Sequence, residues 1–209
     1  IDIVYVLTHT WYSPTLQAFG DPNNSWDQAF AMLGLAAAGE SIPVSATRTL
    51  TGLQRADGSW VGVYGYDEPS STGLVLQALA AGGLPATHPC VISGVLALDN
   101  LQNAQGSWDA FGSPSPNASA YAMQGLLSAG EDLERDPWLQ NGRGPYQALV
   151  SLQKADGPFA LNGVDNGLAT WQAVPALVGQ SYPLTAGGLV AFQPVSRGLD
   201  PDRIITLAP

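Results

Sequence analysis

The chain has 209 residues, 17 Asp and Glu against seven Lys and Arg, and a formal net charge of -10. A surface of that sign repels phosphate backbones and anionic lipid, which excludes nucleic acid as a partner and disfavours docking on a charged bilayer. The single cysteine, Cys90, cannot form an internal disulfide, and no apolar run approaches the ~18 residues that span a membrane.

In chain order, Ile3-Val4-Tyr5-Val6-Leu7 reads equally as a strand or as the end of a helix before a degenerate Phe19-Gly20 turn. Asn23-Asn24-Ser25 then predicts a capped helix, apolar from Ala29 to Ala38 and stopped by Gly39. After Pro43 comes a helix with a one-sided stripe, Val44, Leu50 and Leu53, among polar residues. Pro69-Ser70-Ser71-Thr72 opens a second all-round apolar helix that ends at Gly82-Gly83, and Pro89 opens a second striped one through Val91, Val95, Leu98 and Leu101. Asn117-Ala118-Ser119 leads into Tyr121 to Leu127 and Gly130; Pro145 leads into Tyr146, Leu149, Val150 and Leu152. The last apolar helix runs from Asp165-Asn166 through Ala169 to Val174 and stops at Gly179. No stretch shows sustained strand alternation.

Each striped helix closes on one phrase. The copies are Leu53-Gln54-Arg55-Ala56-Asp57-Gly58-Ser59-Trp60, Leu101-Gln102-Asn103-Ala104-Gln105-Gly106-Ser107-Trp108 and Leu152-Gln153-Lys154-Ala155-Asp156-Gly157-Pro158-Phe159, their glutamines 48 and 51 positions apart. Such a period marks a supersecondary unit that must stack on copies of itself. Helices apolar all round belong in an inner layer, and striped ones outside, with one face in water. The expectation is an all-α fold, a ring or arc of helical hairpins forming an α/α toroid over residues 1–185, with 186–209 as a tail or linker.

Gln followed by Gly-x-aromatic at the end of an outer helix resembles the prenyltransferase and squalene oxidase repeat of the terpenoid cyclase and protein prenyltransferase toroids. The likeness covers roughly residues 10–180. The segment Ala169-Thr170-Trp171-Gln172-Ala173-Val174-Pro175-Ala176-Leu177-Val178-Gly179-Gln180-Ser181-Tyr182 is similar to the last toroid helix of the cobalamin carriers, intrinsic factor and transcobalamin. A full ring of that family has about six helical pairs, against roughly four here, so an incomplete ring is expected. The resemblance implies a non-catalytic extracellular or cell-surface module that holds a bulky, partly apolar ligand, a corrinoid, against a companion domain of a longer precursor. Two other readings stand beside it: a degenerate relative of the enzymes acting on an isoprenoid, and a structural protein-interaction toroid.

The residues decide little among these. An acid-initiated cyclase needs an Asp-x-Asp-Asp cluster, and none is present; Asp132-Leu133-Glu134-Arg135-Asp136 reads as a solvated loop. His88-Pro89-Cys90 lacks a third ligand for zinc, and the alternate spacing of Asp21, Asn23, Ser25 and Asp27 meets Met32 where a calcium loop needs Glu. No metal or cofactor is therefore expected. The sequons at Asn23 and Asn117 read as helix caps. Gln54, Gln102 and Gln153 are expected to satisfy free N–H groups at a neighbouring helix start, Gly58, Gly106 and Gly157 to turn the chain, and Trp60, Trp108 and Phe159 to wedge between helices. The ligand site is placed at the rim where inner helices begin. Its candidates are Trp26, Tyr64, Tyr66, Asp67, Phe111, Asn117, Tyr121, Gln124, Asp165 and Trp171, aromatic faces with a few amides and carboxylates.

Overall fold

Asn or Ser before an apolar run and Gly after it write a helix with both ends closed. A computed structural model, which describes residues 2–62, 69–161 and 164–184, holds three such helices among eight, capped by Asn24, Ser115 and Asn166, and a fourth apolar helix that opens on Pro69 and ends on Gly82-Gly83. In chain order the helices are α1 (Ile3–Tyr5), α2 (Ser25–Ala37), α3 (Val44–Gly52), α4 (Pro69–Ala81), α5 (Pro89–Leu101), α6 (Pro116–Ser128), α7 (Pro145–Ser151) and α8 (Gly167–Leu177). A six-residue π-helix, Val6–Trp11, continues α1, so the start of the chain is helical and the strand alternative fails. The tail from 186 onwards lies outside the described residues, as do Tyr64, Tyr66 and Asp67.

The four apolar helices end alike. Gly39, Gly83, Gly130 and Gly179 adopt φ of 75°, 81°, 86° and 72°, a left-handed turn in which any other residue is strained. At each, two N–H groups return to the final carbonyls; Gly130 N reaches Leu127 O at 3.0 Å and Glu131 N reaches Leu126 O at 3.0 Å. The starts differ from expectation at one point. Ser115, not Asn117, caps α6 by accepting from Ala118 N, because Pro116 takes the first helical position and draws the start upstream. Asn117 is thereby left inside the first turn, free to bond elsewhere.

Packing follows burial. Helix α4 lies between α2 and α6, and α6 between α4 and α8, so the apolar helices form one row. Helix α3 packs on α2 and α4, α5 on α4, and α7 on α6 and α8. Every residue of α4 from Pro69 to Leu79 is buried, which is why its sequence carries no polar face. Helix α3 departs from its expected stripe: Val44 is 75% exposed, and Ala46, Thr47 and Leu50 make the core face instead. One apolar cluster joins α2, α3 and α4, a second joins α5 to α8, and Leu84 packs against both.

Among the described residues three two-stranded antiparallel sheets, each strand two residues long, interrupt the helices: β1 (Tyr12–Ser13) with β2 (Ala18–Phe19), β3 (Asp109–Ala110) with β4 (Ser113–Pro114), and β5 (Ala160–Leu161) with β6 (Val164–Asp165). Strands this short carry no alternation to read. Each leads the chain into the following apolar helix, so the sheets belong to the repeat.

Candidate functional site

The repeated phrase builds a corner. Trp60 and Trp108 are fully buried; the Nε1 of Trp60 donates to Leu50 O at 2.8 Å, and that of Trp108 to Leu98 O at 2.8 Å, each tying the corner to the helix before it. Phe159 fills the third corner without that bond. The backbone N–H of the same three aromatics is taken by a hydroxyl in the next apolar helix: Thr72 at 3.1 Å, Ser119 at 3.0 Å and Thr170 at 3.0 Å. These hydroxyls all stand fourth in their helices. Gln28, fourth in α2, gives Phe19 the same acceptor at 2.8 Å, so the Phe19-Gly20 turn is a fourth corner in altered residues.

The glutamines donate to main-chain carbonyls instead of accepting from helix-start N–H groups as expected, although Gln102 Oε1 also accepts from Gln140 Nε2 at 3.0 Å. Gln54 Nε2 donates to Gly58 O at 2.9 Å and Cys90 O at 2.8 Å; Gln102 Nε2 donates to Gly106 O and Trp138 O, both at 3.1 Å. Gln153 Nε2 donates to Gly157 O at 2.6 Å. At the facing helix start His88 Nδ1 already accepts from Cys90 N, one of the N–H groups the glutamine was expected to satisfy, and the Gln54 amide nitrogen meets the Cys90 carbonyl instead. Gln54→Ala should therefore lower unfolding free energy by about 2 kcal/mol in urea, since two carbonyls lose one amide. Gln54→Glu should cost more at neutral pH, because a carboxylate faces the same two oxygens, and should regain stability in acid.

Between α4, α6 and α8 lies a buried polar chain. Asn117 Nδ2 donates to Gln172 Oε1, Gln172 Nε2 to Tyr121 OH at 2.9 Å, and Gln124 Nε2 to the main-chain oxygen of Gln172 at 2.9 Å. Trp26 sets its ring edge-on to Tyr121, centroids 6.1 Å apart, and its Nε1 donates to Ser71 Oγ at 2.8 Å. Gln77, the α4 counterpart of Gln124, accepts from Tyr182 N at 2.8 Å, which brings the chain beyond α8 back to α4. Two acceptors in this chain, Asn117 Oδ1 and Gln124 Oε1, are buried with no donor among the described residues. A buried oxygen in that state calls for a donor from water, from a ligand or from a residue outside the described ones.

Burial pushes the Tyr121 phenol up to about 12; the Tyr182 phenol adds to the rise, and the bond from Gln172 opposes it. Burial likewise pushes the Cys90 thiol up to about 11. Unfolded, these groups ionise nearer their ordinary values of 10.0 and 9.0, so the folded state holds more protons across the interval. Their contribution is complete below pH 9 and is lost as pH rises toward 12. Urea titrations at fixed alkaline pH should show that decline, and Tyr121→Phe should flatten its upper part.

The structure thus brings Trp26, Asn117, Tyr121 and Gln124 into one neighbourhood and leaves Phe111, Asp165 and Trp171 apart from it, while Tyr64, Tyr66 and Asp67 lie outside the described residues. Phe111 sits at the tip of the β3–β4 hairpin, 78% exposed, and Trp171 is 74% exposed on α8. Asp165 pairs with Lys154 Nζ at 2.5 Å on the surface, where such a pair contributes little. Gln172, Ser71 and the corner hydroxyls went unrecognised, although a hydroxyl recurring at the fourth helical position was there to be read. Asp27 spends its carboxylate on Asp21 N at 3.0 Å and Asn24 Nδ2 at 3.0 Å, and Ser25 donates to Val61 O. Among the described residues no three metal-ligating side chains converge, and no helix is long and apolar enough to cross a membrane. Neither the known protein-family models nor the curated proteins include a match to this chain.

Proposed function

We propose that the chain is an arc of an α/α toroid of the prenyltransferase and squalene oxidase repeat type, and that it serves as a non-catalytic extracellular or surface module for a bulky, partly apolar ligand of the corrinoid kind. The alternation of buried and flanking helices, joined by four corners of one design, supports the architecture. The observation that carries the ligand reading is the pair of donorless oxygens, Asn117 Oδ1 and Gln124 Oε1, on a chain that includes Tyr121 and Gln172 and lies beside Trp26. Aromatic surface with two waiting acceptors suits a ligand that combines a broad apolar face with N–H or O–H groups at its edge. A companion domain would cover the ligand from the other side.

Titration with cyanocobalamin, followed by visible absorbance and calorimetry, tests the reading. Saturable binding in the micromolar range is expected, with Gln172→Leu weakening it at least about tenfold by dispersing the polar chain. Absence of saturable binding, or binding indifferent to Gln172→Leu, would discard it. Product formation from squalene or farnesyl diphosphate in parallel incubations would replace the carrier with an enzyme.

A further inference from the structure

The residues that carry the ligand reading are closed off. Gln124, Tyr121 and Gln172 are 0%, 4% and 8% exposed, so a ligand reaches the Gln124 oxygen only if something moves. Helices α4 and α6 do not give way. They cross at Gly73 and Gly125, where a single methyl on either would strike main-chain atoms of the other.

A lighter element lies over the same residues. Past α8 the backbone turns at Gly179, left-handed at φ 72°, and Gln180 N returns to Pro175 O at 2.9 Å. Two residues later Tyr182 N donates to Gln77 Oε1 of α4 at 2.8 Å. Helix α6 stands between α8 and α4 in the row. Neighbouring helices lie about 8–10 Å apart, and the stretch from Val178 to Tyr182 reaches at most about 14 Å, so it runs nearly straight across α6. The Tyr182 ring packs on the cluster that contains Tyr121, close enough for its phenol to raise that of Tyr121. Gln77 and Gln124 each stand ninth in their helices. One amide oxygen thus holds this strap by a main-chain N–H, while its counterpart on the helix beneath has no donor among the described residues. A short strap opens at far lower cost than a helix packed along its length.

We propose that residues 179–184 form a lid over the ligand site, hinged at Gly179 and latched by Tyr182 N on Gln77, and that the lid lifts to admit the ligand. This rests on the reading of Asn117, Tyr121 and Gln124 as that site, and it adds two properties. Lifting uncovers Gln77 Oε1 as a third acceptor beside those of Asn117 and Gln124, so the open site favours a ligand with several N–H or O–H donors along one edge. It also lowers the apparent affinity, since only molecules with the lid raised can bind.

Native-state hydrogen exchange tests the lid without any ligand. The Tyr182 amide is expected to exchange at a rate that low urea leaves unchanged, whereas amides of α4 and α6 speed up as urea promotes global unfolding. Gln77→Leu removes the latch and should quicken Tyr182 exchange at least about tenfold. Should that variant melt early by circular dichroism, Gln77→Met takes its place. A Tyr182 amide that follows the rate and urea dependence of the α4 amides would overturn the proposal, as would one indifferent to loss of the latch. Cyanocobalamin supplies the second arm. Tyr182→Ala loosens the lid and leaves Gln77, Asn117 and Gln124 in place, so it should bind at least about threefold tighter than wild type and associate faster. Equal or weaker binding would overturn the lid and make Tyr182 a fixed wall of the site. Should neither protein bind, the corrinoid reading falls and the exchange result alone decides the lid.

Discussion

Gly73→Ala is expected to destabilise the protein by about 3 kcal/mol, at the upper end of the usual cost of overpacking. The added methyl would lie 2.1 Å from Tyr121 O and 2.4 Å from Tyr121 C, and these are backbone atoms that no rotamer change can move. Helices α4 and α6 would have to separate along their crossing. Gly125 meets Gly73 from the other side, its own added Cβ 2.5 Å from Gly73 Cα, so Gly125→Ala should behave alike. Alanine's better helix propensity, about 1 kcal/mol, offsets part of the loss. Gly52→Ala is the control of opposite sign: this glycine also lies in a helix, but its Cβ would meet nothing within 4 Å. It should stabilise by ~0.5–1 kcal/mol. Thermal melts would read the difference as a fall of roughly 10 °C for Gly73→Ala against a small rise for Gly52→Ala. Equal effects would mean that the two helices do not cross where the glycines stand.

Trp108→Ala should cost about 3–5 kcal/mol. The indole is fully buried, packs at 6.3 Å from the Trp138 ring, and supplies the donor that Leu98 O would lose. Its removal leaves both a cavity and an orphaned carbonyl at the end of α5. Trp108→Phe separates the two effects. It restores most of the volume without the donor, as Phe159 does at the third corner, so a loss of only about 1–2 kcal/mol is expected. Denaturant titrations of both variants give the comparison; a phenylalanine as damaging as alanine would show that ring volume contributes little at the corner.

Much of this framework was open to sequence reading, and the reasons are local. Asn24 or Asn166 before an apolar run, with Gly39 or Gly179 after it, states a helix in neighbouring residues alone. The recurrence of Gln, Gly and an aromatic residue revealed the corner for the same reason. What escaped depends on partners distant in the chain. A first-turn Thr72 or Ser119 looks like a cap until the incoming backbone of Trp60 or Trp108 is placed against it. The Gln54 bonds depend on the next helix, where His88 accepts from Cys90 N and the Cys90 carbonyl meets the glutamine. The meeting of Asn117, Tyr121 and Gln172 requires the packing of α6 on α8. Sequence alone makes Trp171 and Tyr121 equals at one rim; burial separates them, because α6 is covered by α8 whereas no helix among the described residues follows α8 in the row.

Hydrogen exchange at the tryptophan indoles decides whether the corners hold this fold together. With resonances assigned by single Trp→Phe variants, the Nε1 protons of Trp60 and Trp108 should exchange only through global unfolding, since each is buried on a helix-end carbonyl. Corner indoles that exchange as quickly as a free indole would contradict the stacked repeat itself.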